Sequence, residues 1–272
     1  MSEDEIQKII EKEEHLKKYC GEDEVILSPD MLKLLESRID ATYEVEMKSG
    51  FPSLDKEIHS FIGGELVVLS GPTKGGKTLV GQTFTRNFEQ QGKGCLWFTY
   101  EVPAYQFLKQ FGDRLPLFVM PKQLKQNSFS WILDRVHEAK LKYSISAVFI
   151  DNTHNVLNLT ASNLSQVMGE FLKASKQMAI KYNVVVFLLH HMKQVKLLEG
   201  EEFGSHLLRD SSLVAQTADT VMFVWRDKDI ILNRNKSYLK ITENRRYGVM
   251  NYTITMSKIG NFLEECEFHH GI

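Results

Sequence analysis

The sequence has few cysteines and no long apolar run. Its three cysteines, Cys20, Cys95 and Cys266, lie far apart and form no C-x-x-C pair, which argues against a disulfide framework and favours a reducing, cytoplasm-like compartment. The longest purely apolar run, 184–189, is too short to span a bilayer, and the acidic start does not resemble a secretory signal. We therefore expect no membrane association and a cytoplasmic location, or the host cytoplasm or an organelle matrix if the source is viral or organellar.

The sequence lacks a large excess of charge of either sign. The formal net charge is −2, so no global field draws the protein to nucleic acid, and any DNA-binding surface has to be local. With 272 residues, 43% hydrophobic and 25% charged, the composition is that of a globular protein with room for one large α/β domain and a small appendage.

Residues 71–78 fit the pattern G-x-x-x-x-G-K-[ST], between an apolar strand and the start of a helix. In that order the glycines bring backbone N–H groups close to a di- or triphosphate, and the helix N-terminus adds its positive end. Lys77 reaches the outer phosphates, and the Thr78 hydroxyl can ligate Mg²⁺. The pattern predicts a site for ATP or another nucleoside triphosphate, with Mg²⁺, formed by Gly71, Pro72, Thr73, Lys74, Gly75, Gly76, Lys77, Thr78 and Leu79.

Apolar segments of strand length alternate with segments of helical periodicity. Strands are expected at 65–70, 94–100, 145–150, 184–189 and 220–225, and helices at 77–90, 103–112, 129–142 and 163–182. Because these strands are continuously apolar, both faces of a mainly parallel sheet are expected to be covered by helices. Segments 237–242 and 251–256, with a turn at Tyr247-Gly248, indicate an antiparallel hairpin at the sheet edge.

The N-terminal segment differs from this alternating region. It is rich in acids and lysines, and its apolar residues recur at roughly helical spacing, which indicates a solvated amphipathic helix. A second helix is expected from Pro29 to about Ile39, capped by Ser28. We divide the chain into an N-terminal helical extension or linker, 1–42, and an ATPase domain, 43–272.

Polar residues follow three of the predicted strands. Asp151 ends an apolar strand at the edge that also carries the phosphate loop, where it can hold Mg²⁺ through water. Glu101 could polarise a water that attacks the γ-phosphate, or could simply be a helix N-terminal acid favoured by the helix dipole. At His190-His191, one imidazole could contact the γ-phosphate.

Two basic features lie further along the chain. Arg245 and Arg246 stand beside the hairpin turn, where one could act as an arginine finger on another subunit's γ-phosphate. A solvated edge strand that uses cations against aggregation explains them equally well. Segment 193–212 contains Lys193 and Lys196 and has neither helical nor strand period, and long irregular loops of this kind are usually functional or disordered.

Together these motifs resemble the RecA-type core of replicative hexameric helicases, the DnaB/Twinkle family. The resemblance runs from Gly50 to Phe262. Before and within the phosphate-loop region, residues 50–55 match the family's T-G-F-x-x-L-D motif, and residues 63–66 match its lead into the phosphate loop. Further along, the matches are 98–101 to the strand bearing the catalytic glutamate, 149–152 to the Walker B strand, 191–193 to the phosphate sensor, 209–219 to the R-x-S…A-D stretch, and 244–245 to the K-N-R finger motif. Glu243 stands where the family has lysine.

The resemblance implies a RecA-like P-loop NTPase core with C-terminal antiparallel edge strands. It also implies a DNA-stimulated ATPase that acts as a hexameric ring helicase on single-stranded DNA during replication, with a primase or polymerase as a further candidate partner. The implied site residues are Lys77, Glu101 (water activation), His191 (γ-phosphate sensing) and Arg245 (finger in trans) for catalysis, Thr78 and Asp151 for Mg²⁺, and Lys193 and Lys196 for DNA.

Two other functions share most of these residues. One is a RecA-like recombinase or recombination mediator that forms filaments on DNA. The other is a non-unwinding regulatory or loader ATPase that binds a partner protein through the N-terminal helices.

Overall fold

The computed structural model describes residues 3–21, 24–38, 45–125, 128–156, 164–192, 207–208, 211–226 and 236–266. The chain divides into two compact units, Met1–Glu44 and Val45–Ile272. The first unit contains helices α1 (Glu3–Lys17) and α2 (Ser28–Arg38). Several of their apolar side chains are exposed: Ile6, Ile9, Ile10, Leu16, Met31 and Leu32.

The second unit combines seven further helices with ten strands among its described residues. The helices are α3 (Pro52–Ile58), α4 (Lys77–Gln90), α5 (Ala104–Lys109), α6 (Phe129–Tyr143), α7 (Thr153–Val156), α8 (Leu164–Tyr182) and α9 (Ser211–Thr217). The strands are β1 (Glu46–Met47), β2 (Phe61–Ile62), β3 (Leu66–Gly71), β4 (Gly94–Thr99), β5 (Ile145–Asp151), β6 (Val185–His191), β7 (Thr220–Arg226), β8 (Lys236–Asn244), β9 (Gly248–Ile259) and β10 (Phe262–Glu265).

Eight of the strands form one sheet in the order β10-β9-β8-β7-β3-β6-β5-β4, while β1 and β2 form a small antiparallel pair. Strands β7, β3, β6, β5 and β4 are parallel, and β8, β9 and β10 continue the sheet in antiparallel fashion. The predicted α/β fold with a mainly parallel sheet and C-terminal antiparallel strands is therefore confirmed. The hairpin is longer than predicted, and β10 rather than the hairpin forms that edge of the sheet.

The sheet is buried on both faces, as its continuously apolar strands require. Along β3, Val67 and Leu69 face a core shared with α4, whereas Leu66 and Val68 face a second core shared with α6 and α8. Since helices cover both faces, the sheet is a fixed scaffold for the groups at its two edges. None of the helices within the described residues has both the length and the apolar character that crossing a membrane requires.

The two edges of the parallel strands carry different groups. Strands β3, β4, β5 and β6 all end at one edge, because Gly71 pairs with His191 and Thr99 pairs with Asp151 in parallel register. At the other edge, β3 and β7 begin, and the turn between β8 and β9 lies beside them, since Asn244 pairs with Thr220. We call these edges the phosphate-loop edge and the hairpin-turn edge.

Candidate active site

The phosphate loop needs glycine at two positions for different reasons. Gly71 has a φ of 148°, and a Cβ added there would lie 2.0 Å from the backbone oxygen of Val224 on β7. Gly76 has a φ of 106° and is the N-cap residue of α4. The chain thus passes from β3 through a loop held close to β7 directly into a helix N-terminus, where backbone N–H groups and the helix dipole favour an anion.

Lys77 is held inside this loop. Its Nζ donates to the backbone oxygens of Gly71 and Pro72, each at 3.1 Å. Burial lowers the pKa of Lys77, and the carboxylates of Glu101 and Asp151 oppose that shift. The nearest partners of this buried ammonium are neutral carbonyls, so a negatively charged phosphate oxygen would stabilise it further through a charge-assisted hydrogen bond.

Thr78 and Asp151 meet at the phosphate-loop edge. Thr78 Oγ1 donates to Asp151 Oδ2 at 2.7 Å, while Asp151 Oδ1 is buried and has no hydrogen-bond partner among the described residues. Burial, aided by the charge of Glu101, raises the pKa of Asp151 to about 6, although the Thr78 hydrogen bond and Lys77 act in the opposite direction. A hydroxyl beside a buried carboxylate with an unused oxygen fits the oxygen ligands that Mg²⁺ prefers.

The side chain of Asn152 links the ends of three strands. Its Nδ2 lies 2.8 Å from Oε2 of Glu101, just beyond β4, and 2.9 Å from Nε2 of His191 on β6. Since an amide nitrogen only donates, Nε2 of His191 accepts in this orientation, which puts the proton of a neutral ring on Nδ1. Glu101 and His191, predicted to share one crevice, are therefore joined through one amide.

His190 points into the protein instead. Its side chain is 1% exposed, its Nδ1 lies 3.0 Å from Thr153 Oγ1, and its backbone oxygen accepts a hydrogen bond from Ser70 Oγ. Of the two adjacent histidines, His191 is therefore the one that reaches the crevice beside Glu101.

A cavity of about 400 Å³ opens beside these groups. It is lined by Lys74, Gly75, Gly76, Lys77, Thr78, Leu79, Gln82, Glu101, Gln110, Arg226, Lys258 and Asn261. Six residues from Lys74 to Leu79 belong to the predicted phosphate loop, so the loop and the predicted water-activating acid share one cavity.

Sequence reasoning missed five of the residues that line this cavity. Arg226 is the last residue of β7 and comes directly after its apolar residues, so the strand-end signal that identified Asp151 could also have found it. Gln82 and Gln110 join through their side-chain amides at 2.9 Å, and Lys258 and Asn261 come from the β9–β10 region. No local sequence signal marks these four, because only tertiary packing brings them to the loop.

Arg245 and Arg246 lie at the hairpin-turn edge, a full strand length from the phosphate loop of their own chain. Arg245 Nε lies 3.3 Å from Asp219 Oδ1, and the side chain is 54% exposed. Arg246 Nε lies 3.2 Å from Glu65 Oε1, and the side chain is only 29% exposed. Arg246 also donates to the backbone oxygens of Ile58 and Ser60. Arg245 likewise donates to the backbone oxygens of Gln216 and Ala218, so the two arginines differ chiefly in exposure, and Arg245 is the more exposed.

The two lysines predicted to contact DNA, Lys193 and Lys196, lie outside the described residues, so their role stays a prediction. They follow β6 directly in the chain, after His191 and Met192.

Comparison with known proteins shows matches in both sequence and fold. The profile of a family described as an AAA domain (AAA_25) matches residues 35–196. Among solved structures, one ATPase domain is similar with a TM-score of 0.70 and 16% identity, covering 90% of this chain and 100% of that chain. A DnaB-like replicative helicase, solved to study its interactions with primase, is similar with a TM-score of 0.68 and 16% identity, covering 96% of this chain and 71% of that chain.

The RadB recombinase is also similar, with a TM-score of 0.58 and 14% identity, covering 81% of this chain and 100% of that chain. At such identities the likeness establishes the fold. The RecA-type core expected from the resemblance to replicative helicases is therefore confirmed as a fold.

Proposed function

Because the chain belongs to the AAA domain family and has a RecA-type fold, we propose that it is an ATP-dependent DNA helicase. It acts in replication as a hexameric ring on single-stranded DNA, which stimulates its ATPase activity. The observation that carries this proposal is the arrangement at the phosphate-loop edge. Lys77, Thr78 and Glu101 line one cavity, Asp151 accepts a hydrogen bond from Thr78, and His191 is linked to Glu101 through Asn152.

The phosphate loop binds the nucleotide. Its backbone N–H groups and the Lys77 ammonium hold the phosphates, and Thr78 and Asp151 supply the oxygens for Mg²⁺. When bound, Mg²⁺ neutralises charge on the phosphate oxygens. The unused Oδ1 of Asp151 supports this assignment, since a buried carboxylate oxygen without a partner is costly unless a cation uses it.

Glu101 activates the attacking water. Asn152 holds its Oε2, while Oε1 has no hydrogen-bond partner within the part of the chain that the structure describes. One carboxylate oxygen is therefore fixed in place, and the other is available to accept a proton from water. His191 shares the Asn152 amide with Glu101, so its contact with a γ-phosphate would alter the hydrogen bonds that orient the base.

Arg245 completes the site of a neighbouring subunit. The phosphate loop and Arg245 lie at opposite edges of the same sheet, and each parallel strand rises by about 3.3 Å per residue, so Arg245 is far from its own loop. A head-to-tail contact between subunits brings the two edges together, and such contacts generate rings or open filaments. The greater exposure of Arg245 supports its choice over Arg246.

DNA binds beyond the ends of β5 and β6. Lys193 and Lys196 follow β6 and would contact the phosphates of single-stranded DNA, which makes the affinity depend on salt rather than on base sequence. Primase or polymerase would be further partners; the DnaB-like helicase of similar fold was solved for its interactions with primase.

Strand displacement tests this function. A forked duplex with both single-stranded tails is incubated with ATP and Mg²⁺, and with Lys77→Ala as the matched inactive control. We expect displacement by the wild-type protein only with hydrolysable ATP, and none by Lys77→Ala. An ATPase that oligo-dT leaves unstimulated and that displaces no strand would overturn the proposal in favour of a regulatory or loader ATPase.

The second candidate function is a RecA-like recombinase, which the similarity in fold to the RadB recombinase favours. It uses the same ATP residues and would also be stimulated by DNA. Negative-stain microscopy with an ATP analogue and oligo-dT separates the two, because closed six-membered rings support the helicase and extended filaments support the recombinase.

A further inference from the structure

The hairpin-turn edge carries two neighbouring arginine–carboxylate pairs. Arg245 faces Asp219, and Arg246 faces Glu65. Both carboxylates are buried and both stand next to the first residue of a parallel strand, Asp219 before β7 and Glu65 before β3. The chain thus provides two contacts of the same chemistry, of which only one involves the proposed finger.

Asp219 is fixed by its inner oxygen. Oδ2 accepts hydrogen bonds from the backbone N–H of Leu66 at 2.7 Å and from Lys176 Nζ at 2.6 Å. Lys176 Nζ also donates to the backbone oxygen of Gly64 at 2.7 Å. Hydrogen-bond donors on β3 and α8 fix the inner oxygen of this carboxylate. The outer oxygen, Oδ1, is therefore an acceptor with a fixed position beside Arg245.

Arg245 uses one side of its guanidinium to bind its own subunit. Nε lies 3.3 Å from Asp219 Oδ1, and Nη2 donates to the backbone oxygen of Gln216 at 3.0 Å. Nη1 carries two further N–H groups and has no partner among the residues the structure describes. The guanidinium is therefore anchored along one side, and the nitrogen on its other side is available to a ligand.

We propose that Asp219 is a positioning residue that holds Arg245 by Nε so that Nη1 is presented to the γ-phosphate of the neighbouring subunit. This inference rests on the proposed role of Arg245 in trans. A long arginine side chain loses rotamer freedom when it binds phosphate, and a fixed carboxylate that orders it beforehand removes part of that cost and sets the direction of approach. Asp219 itself touches no reacting atom.

Asp219→Asn tests the proposal with little change in volume. An asparagine can keep its one oxygen on Leu66 N and Lys176 Nζ, but its amide nitrogen then faces Arg245 Nε, donor against donor, and releases the arginine. We expect kcat for ATP hydrolysis to fall about 10- to 100-fold, the scale expected when a catalytic group is misplaced, while the dissociation constant for ATP stays within about twofold. An unchanged kcat would overturn the proposal.

Glu65→Gln is the matched control. It removes the charge that pairs with Arg246. The glutamine keeps one side-chain oxygen, which can accept the hydrogen bond that the backbone N–H of Ile62 donates to Glu65 Oε2 at 3.0 Å in the wild-type protein. We expect its kcat to stay within about twofold of wild type. A fall in kcat equal to that of Asp219→Asn would mean that any weakened contact at this edge slows the enzyme, and the positioning role would be wrong.

Mixed assemblies separate positioning from general damage. Asp219→Asn keeps an intact phosphate loop, and Lys77→Ala keeps an intact Asp219 and Arg245, so mixing the two should give more activity than either alone. In addition, Arg245→Ala/Asp219→Asn should be no slower than Arg245→Ala, since the carboxylate acts only through the arginine. No recovery in confirmed mixed assemblies, or a further loss in the double variant, would overturn the proposal.

If Asp219→Asn does not fold, Arg245→Lys carries the test, because it leaves the buried carboxylate intact. Lysine keeps the positive charge but has no Nε fork for Asp219 to hold, so kcat should fall almost as far as in Arg245→Ala. Wild-type kcat in Arg245→Lys would overturn the inference.

Two results distinguish failure of this inference from failure of the proposed function. Wild-type kcat in Arg245→Ala would refute the proposed finger, whereas a slow Arg245→Ala beside a fully active Asp219→Asn would refute only the role of Asp219.

Discussion

Nδ2 of Asn152 donates a hydrogen bond to Oε2 of Glu101 at 2.8 Å, which joins the residue after β5 to the segment after β4. The same nitrogen lies 2.9 Å from Nε2 of His191 at the end of β6. The proposed base is thus oriented by the strand next to its own, and the proposed sensor shares the group that orients it.

Glu101→Gln should keep nucleotide binding and lose turnover. Glutamine has the same shape but no negative charge to accept a proton from water, so we expect hydrolysis to slow by about 10²-fold or more, the range for loss of a general base. Single-turnover hydrolysis and binding of a fluorescent ATP analogue measure the two quantities separately. Loss of affinity with normal turnover would make Glu101 a structural helix-terminal residue.

Asn152→Ala should slow hydrolysis less than Glu101→Gln does. Without the amide, Glu101 keeps its charge but loses the hydrogen bond that fixes Oε2, so we expect a fall in kcat of about 10-fold with nearly unchanged ATP affinity. In the Glu101→Gln background, Asn152→Ala should have little further effect, since the two residues act together. Fully additive losses in kcat would show that Asn152 acts independently of Glu101.

Much of the fold could be predicted because burial leaves a clear pattern in the sequence. Strands β3, β5 and β6 are buried on both faces, so each reads as a continuous apolar run between helices. The two-residue strands β1 and β2 are too short to show any period. Strand β10 depends on packing against α4, where Arg86 lies 4.4 Å from the ring centre of Phe262, and no local pattern records such a contact.

The site residues could be predicted where a polar side chain stands at the end of a strand. The polar residues Glu101, Asp151 and His191 each come after an apolar run, and parallel strands bring such ends to one edge. The linking role of Asn152 and the carboxylate beside Arg245 could not be predicted, because both depend on distances between elements that are far apart in the chain. For the same reason, no role for Asp219 could be predicted from the sequence.

Asp151→Asn should stabilise the nucleotide-free protein while abolishing its ATPase activity. Burial raises the pKa of Asp151 from 3.8 to about 6, so the ionised carboxylate destabilises the folded state. A tenfold change in proton affinity corresponds to about 1.4 kcal/mol, so removing the charge should raise the free energy of unfolding at pH 7 by up to about 3 kcal/mol.

The gain in stability should depend on pH in a defined direction. Below about pH 4 the carboxyl is protonated in both folded and unfolded chains, so the two proteins should melt alike; the difference should grow from about pH 4 to 6 and then level off. Thermal unfolding in EDTA measures this difference in stability between Asp151→Asn and the wild-type protein. Asp134→Asn, on the exposed face of α6, is the control and should leave the melting temperature unchanged. A variant that melts below wild type at pH 7 would contradict the predicted cost of the buried charge.

Lys193→Ala/Lys196→Ala should weaken binding to oligo-dT and reduce DNA stimulation, with the basal ATPase rate nearly unchanged. The expected contacts are with phosphates, so the dependence of affinity on salt should also become less steep. Lys93→Ala/Lys142→Ala is the matched control, since it removes the same charge from the opposite edge of the sheet. Identical titration curves for the two double variants would place the DNA site elsewhere.

The ATPase rate of mixtures of Arg245→Ala and Lys77→Ala subunits tests most directly whether each ATP site is shared between two subunits. Each variant alone should hydrolyse poorly, the first for lack of a finger and the second for lack of the loop lysine. Mixing should restore activity, with a maximum at intermediate ratios, because some interfaces then pair an intact loop with an intact Arg245. A rate that stays at zero across all ratios, with mixed assembly confirmed, would contradict a finger supplied in trans.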